Sequence, residues 1–205
     1  MRRADGVSTF HAQDGTAWRQ WLEENHAQAA SLWLIIYRKG SDTPSVYYDE
    51  AVDEALCFGW IDSKPNKRDY ESYYQFFSRR NPKSNWSRVN KNKVEKLMAE
   101  HRMAPAGLEM VEVAQQSGTW TALDDVENLV IPPDLQAAFE ENKNASNHWN
   151  NFPPSSQRGI LEWIFNAKRP ATRQQRIDET VTMAAQGLRA NHYRQPKGTS
   201  QKTKS

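Results

Sequence analysis

Two acids, a thiol, an indole and two more polar groups follow one another in Asp53-Glu54-Ala55-Leu56-Cys57-Phe58-Gly59-Trp60-Ile61-Asp62-Ser63, the densest run of chemistry-bearing residues in the chain. A carboxylate pair does acid–base work when burial separates the two pKa values. Asp53 and Glu54, however, are adjacent and point in different directions on a helix. Cys57 sits beside Phe58 at an apolar helix end, which is the setting of a structural thiol. A reactive thiolate needs an electropositive, partly exposed site. Trp60, Asp62 and Lys64 share one face of the strand that follows, because strand side chains alternate. That face predicts a pocket at the helix-to-strand turn, floored by Trp60 with Asp62 as a polar contact. The competing reading places Trp60 in the core, with Asp62 or Ser63 capping a turn.

The second concentration is basic. Arg79, Arg80, Lys83, Arg88, Lys91, Lys93, Lys96 and Arg102 face only Glu95 and Glu100 between positions 79 and 102, a local charge of +6. Trp86 and the aromatics Tyr73, Tyr74, Phe76 and Phe77 are close by in sequence. Cations interleaved with rings are what a single-stranded nucleic-acid platform needs. The same spacing also describes ordinary core aromatics beside a solvated helix face. An anion-binding patch around Arg79, Arg80 and Ser84 is the intermediate reading, since a helix N-terminus attracts anions. A third cluster holds Arg173 and Arg176, three apart on one helix face. They are expected to pair with acids of the N-terminal part, or else to bind an anionic ligand.

Other catalytic signatures are absent from the sequence. It has no glycine-rich phosphate loop, no G-x-S-x-G elbow and no paired-histidine zinc motif, and its five histidines are scattered. No catalytic residue, metal or cofactor is therefore expected.

These residues need elements to position them. Residues 1–15 lack periodicity and read as a flexible lead-in. Thr16 to Ala30 has helical spacing, and Leu32 to Lys39 is an apolar, β-branched strand stopped by Gly40. Asp49 to Phe58 is a helix with acids in its first turn and Gly59 at its left-handed end. Trp60 to Lys64 is a strand, Pro65 to Asp69 a turn, and Tyr70 to Phe77 a third strand in a hairpin. Ser84 is expected to cap a helix burying Trp86, Val89, Val94, Leu97 and Met98. A further helix runs from Pro105 to Ser117. Residues 119–133 read as a connection, partly packed through Trp120, Leu129 and Ile131. Helices follow at Asp134–Glu141, Ala145–Asn151, Ser155–Ala167 and Pro170–Leu188. The predicted fold class is α+β: a small β-sheet with flanking helices over residues 16–118, then a helical module over 134–188.

The 205 residues include eight Trp, seven Tyr and seven Phe, ample for a core despite 25% charged residues. The chain carries +2 in all. Arg189, Arg194, Lys197, Lys202 and Lys204 meet no acid, so residues 1–188 sum to −3. The basic tail 189–205 is expected to be disordered. No apolar run approaches the roughly 20 residues that span a bilayer, so no membrane insertion is expected. The first residues do not read as a secretory signal. A single cysteine fits a reducing compartment, and a cytoplasmic location is expected.

The block Glu50-Ala51-Val52-Asp53-Glu54 through Ser63 resembles the YdeI/OmpD-associated family, also called bacteriocin-protection proteins. Further similarity lies in Trp33 to Lys39, in Arg79 with Ser84, Trp86, Ser87 and Asn90, and in Met103-Ala104-Pro105-Ala106-Gly107. It continues through Pro154-Ser155, Trp163-Ile164, Ala167-Lys168, Thr172-Arg173 and Arg176-Ile177. Pro170-Ala171 departs from the pattern, which has an acidic residue before the Thr-Arg pair. The similarity extends over about Thr9 to Leu188. It implies a bacterial, cytosolic protein linked to stress or bacteriocin tolerance, and it transfers no catalytic residue.

The leading expectation is a non-enzymatic protection protein that binds a protein partner or a small anionic ligand. Its candidate site residues are Trp60, Asp62, Ser63, Lys64, Arg79, Ser84, Trp86 and Asn90. Nucleic-acid binding through Arg79 to Arg102 is the alternative. An enzyme using Asp53, Glu54 or Asp62 as general base ranks third.

Overall fold

In a computed structural model, residues 6–191 are described, and they divide into two compact units at Ala122/Leu123. Most of the expected basic tail, from His192 onward, lies outside the described residues, as do the first five residues of the lead-in.

The first unit contains β1 (Thr9–His11), α1 (Gly15–Asn25), β2 (Ser31–Tyr37), α2 (Tyr48–Cys57), β3 (Trp60–Lys67), β4 (Ser72–Arg79), α3 (Arg88–Ala99) and α4 (Pro105–Ser117). Its sheet runs β1-β2-β4-β3. The β1–β2 pair is parallel and the other two pairs are antiparallel. Leu32, Leu34 and Ile36 of β2 and Phe77 of β4 enter one core with Trp18 and Leu22 of α1 and with the apolar stripe of α2. The α+β class expected from the sequence is the class observed.

Part of the stretch expected to be a lead-in forms β1. Three residues are too few to show periodicity, and pairing with Trp33–Ile35 holds them in place. Pro65 to Lys67, expected in a turn, belong to β3. Proline is tolerated there because β3 is an edge strand with no neighbour on its far side. The hairpin turn is built instead on Asp69, whose Oδ1 accepts from the backbone N–H of Glu71 and Ser72 and from the Ser72 hydroxyl, at 2.9, 2.7 and 2.8 Å.

Gly59 ends α2 at φ +71°, as its position predicts. A Cβ there would lie 2.8 Å from Met110 Cγ and 3.0 Å from the Ala106 carbonyl. Gly107 brings α4 equally close, since a Cβ on it would fall 2.2 Å from the Cys57 oxygen. The cap of α3 is Ser87, whose Oγ accepts from Asn90 N–H at 3.3 Å. Ser84 instead closes a turn on the Asn81 carbonyl. Trp86 therefore precedes the helix and does not set its face. Val94 and Leu97 are buried, while Val89 and Met98 are exposed.

The second unit is helical throughout: α5 (Asp124–Glu127), α6 (Pro133–Glu141), α7 (Lys143–Asn150), α8 (Pro154–Phe165) and α9 (Pro170–Ala184). Leu123, Val126, Leu135, Phe139, Trp149, Ile160, Ile164 and Ile177 belong to its core, with Leu129 and Ile131 packed against it. Leu129 and Ile131 thus pack as expected of the connection, and Leu123 and Val126 of the same stretch are buried in this core. Arg173 clamps Asp134 with two bonds, Nε to Oδ2 at 2.6 Å and Nη2 to Oδ1 at 2.9 Å. Its acid comes from its own unit, not from the N-terminal part as expected. Arg176 donates to the Trp163 carbonyl, with its guanidinium 5.0 Å above the Trp163 ring.

Candidate functional site

The polar residues of α2 are mostly committed to holding the first unit together. Glu54 is buried, and its two oxygens accept from Arg19 Nη1 at 2.8 Å and Arg102 Nη2 at 2.6 Å. Arg102 also donates to Glu100 at 3.0 Å. Its guanidinium is raised above its usual range, first by the hydrogen bond to Glu54. Asp53 pairs with Lys93 at 2.6 Å. Asp62 accepts from the Tyr48 hydroxyl at 2.7 Å and from Gln75 Nε2 at 3.4 Å. Burial, and next the charge of Glu54, push the Cys57 thiol up, so it stays protonated near neutral pH. Each carboxylate considered as a general base has a structural partner.

Trp60 is fully buried, its indole N–H directed at the His26 carbonyl at 3.3 Å and its ring edge-on to Trp21. It fills the core and does not floor a pocket. The pairing register shifts between Asp62 and Pro65, so Ser63 and Lys64 fall in that irregularity with exposed side chains. The alternation that was to gather Trp60, Asp62 and Lys64 on one face is broken there. Asn90 is half-buried on the first turn of α3.

One expected neighbourhood does form a charged site, around Arg80 rather than Arg79. Arg79 is exposed, with its backbone N–H bonded to the Ala30 carbonyl. Arg80 follows at the end of β4, where its N–H bonds to the Gly59 carbonyl at 2.9 Å. Its side chain is only 6% exposed. The guanidinium lies 3.7 Å above the ring of Trp86, which is itself buried against Trp120 at 5.0 Å. Nη2 donates to the Asn85 carbonyl, and Nε has no partner. Desolvation alone lowers Arg80, to about 10. It therefore keeps its charge at neutral pH, and no carboxylate among the described residues answers it. The loop from Asn81 to Ser87, closed by Ser84 on Asn81, holds Trp86 in place under the cation.

The rest of the basic segment is less available. Lys93 is bound to Asp53, Lys96 reaches Glu100 at 3.7 Å, and Arg102 is held by Glu54 and Glu100. Three of the eight cations that suggested a nucleic-acid platform are thus paired with acids within the first unit. Among the described residues no group of three or more His, Cys, Asp or Glu is placed to hold a metal ion. Likewise, none of the described helices is long and apolar enough to cross a membrane.

The sequence relationships divide as the fold does. Residues 128–187, within the helical unit, match the family described as Bacteriocin-protection, YdeI or OmpD-Associated. Residues 10–110 match a separate family, a domain of unknown function (DUF8412). The resemblance expected across Thr9 to Leu188 is therefore supported for the second unit, whereas the Arg80 site falls in the domain of unknown function. Neither a curated protein nor a solved structure matches the chain.

Proposed function

We propose that this chain is a non-enzymatic, cytoplasmic protection protein of the bacteriocin-tolerance type, and that its first unit binds an anionic group at Arg80. The family match of residues 128–187 supports the biological context. The observation that carries the binding reading is the Arg80 guanidinium, buried, stacked on Trp86, and without a carboxylate partner among the described residues. A buried charge ordinarily has a counter-charge, because uncompensated desolvation is expensive. An oxyanion such as phosphate supplies that charge, and acceptor atoms for the guanidinium as well. Arg79 and Lys83, both exposed and near in sequence, add to the positive potential that draws an anion in.

The test is a bacteriocin challenge of bacterial cells lacking the endogenous gene and complemented with wild type or with folded Arg80→Met. Wild type is expected to restore tolerance and the variant to fail. Full tolerance with Arg80→Met at equal protein level would remove this site from the function.

A further inference from the structure

We propose that the open groove between the end of β2 and the start of α2 is a second binding site, and that it takes a small molecule with a flat aromatic ring bearing one anionic group. The groove encloses about 500 Å³, within the range of roughly 300–1,000 Å³ typical of ligand clefts. Tyr37, Tyr47, Tyr48 and Tyr73 line it, together with Arg38, Lys39, Asp49 and Glu50.

Two of these rings stay open to solvent. Tyr47 occupies the N-cap of α2 and makes no capping hydrogen bond, at a position where Ser, Thr, Asp or Asn would stabilise the helix. Tyr47 and Tyr48 remain 44% and 42% exposed, so neither contributes fully to the core.

The walls are nevertheless fixed. Tyr48 donates its hydroxyl proton to Asp62 at 2.7 Å. Tyr37 accepts from Arg68 at 3.2 Å, and that guanidinium lies 5.6 Å above the Tyr37 ring. Tyr73 packs against the first core, and Lys39 stands 5.7 Å over Tyr47. Rings held in place before a ligand arrives lose little entropy when it binds.

Two cations and two acids line the groove, and the engagement of the acids elsewhere is what favours an anionic ligand. Asp49 is turned toward Lys93 at 3.8 Å. Glu50 lies over Gly15, so close that a Cβ there would meet its Oε1 at 2.2 Å. Asp62 is occupied by Tyr48 and Gln75. Arg38 and Lys39 are thus left without a carboxylate among the described residues, beside four rings on which a planar ligand stacks. The site shares no residue with the Arg80 corner.

The experiment is an amide NMR titration of the full chain with phenylacetate, alongside phenylacetamide, which keeps the ring without the charge, and acetate, which keeps the charge without the ring. Phenylacetate is expected to give saturable shifts confined to residues 36–39, 47–50 and 73. Both control compounds should bind about ten-fold or more weakly, a loss of about 1.4 kcal/mol. The double variant Arg38→Ala, Lys39→Ala, at exposed positions and folded, is expected to lose phenylacetate affinity by a similar factor, whereas Arg80→Met keeps it. Linear shifts without saturation, equal response to acetate, or shifts centred elsewhere would overturn the assignment.

Discussion

Replacing Arg80 with methionine separates a ligand-binding cation from a structural one. The fall of its guanidinium from the ordinary arginine value to about 10 corresponds, at 1.36 kcal/mol per pH unit, to about 3 kcal/mol of unfavourable desolvation. Stacking on Trp86 at 3.7 Å returns about 2 kcal/mol in a desolvated setting, and the bond to the Asn85 carbonyl returns about 1 kcal/mol. These contributions nearly cancel. Methionine is unbranched and fills the same channel over Trp86 without a charge. In anion-free buffer the variant is therefore expected within about 1 kcal/mol of wild type by urea unfolding. With phosphate at ten times its dissociation constant, wild type should gain about 1.4 kcal/mol and the variant nothing. A structural guanidinium behaves differently: breaking a buried charged pair costs about 3–5 kcal/mol whether or not anion is present. A loss of that size in anion-free buffer would refute the reasoning.

Three further outcomes follow from the same geometry. Arg102→Ala removes one of the two clamps on Glu54 but leaves Arg19 at 2.8 Å; with Arg102 a third open to water, a loss of about 1 kcal/mol is expected in urea unfolding, and no loss would show the clamp to be idle. Cys57 is buried and its thiol raised by desolvation and then by Glu54, so a disulfide-exchange reagent at pH 8 should label it only as the protein unfolds, and rapid labelling of native protein would contradict that placement. The carboxyl of Asp134 is held below its ordinary value, first by the hydrogen bond from Arg173. A depressed carboxyl contributes stability above the unfolded value of about 4, and that contribution disappears as pH falls through the lowered folded value. Arg173→Ala should therefore destabilise the protein at neutral pH, with the difference from wild type shrinking in acid; a pH-independent difference would exclude the ion pair as its source.

Where local chemistry decides structure, the sequence was readable. Acids at the start of α2, its apolar stripe and Gly59 behind it specify that helix and its left-handed end, and the β2 run of Leu32 to Tyr37 could hardly form anything but a buried strand. Legibility failed where partners distant in sequence decide. β1 exists because β2 accepts it, and Pro65 is in a strand because no neighbour lies beyond β3. Arg79 and Arg80 are equivalent on paper; the bond from Arg80 to the Gly59 carbonyl and the ring of Trp86 bury one, while the other faces water. The anion-patch reading included both arginines, whereas the list of candidate site residues took the exposed Arg79. Its Trp60 half dissolved into the core, and the bulge after Asp62 carried Lys64 away. The tyrosine groove could not be foreseen, since positions 36–39 and 47–50 meet only once the intervening loop has folded back.

The most direct measurement is a calorimetric titration of inorganic phosphate into the purified full chain and into Arg80→Met. One saturable site on wild type, absent from a variant that unfolds as cooperatively, is expected. Equal binding to both proteins, or none to wild type, would contradict a ligand at the buried arginine.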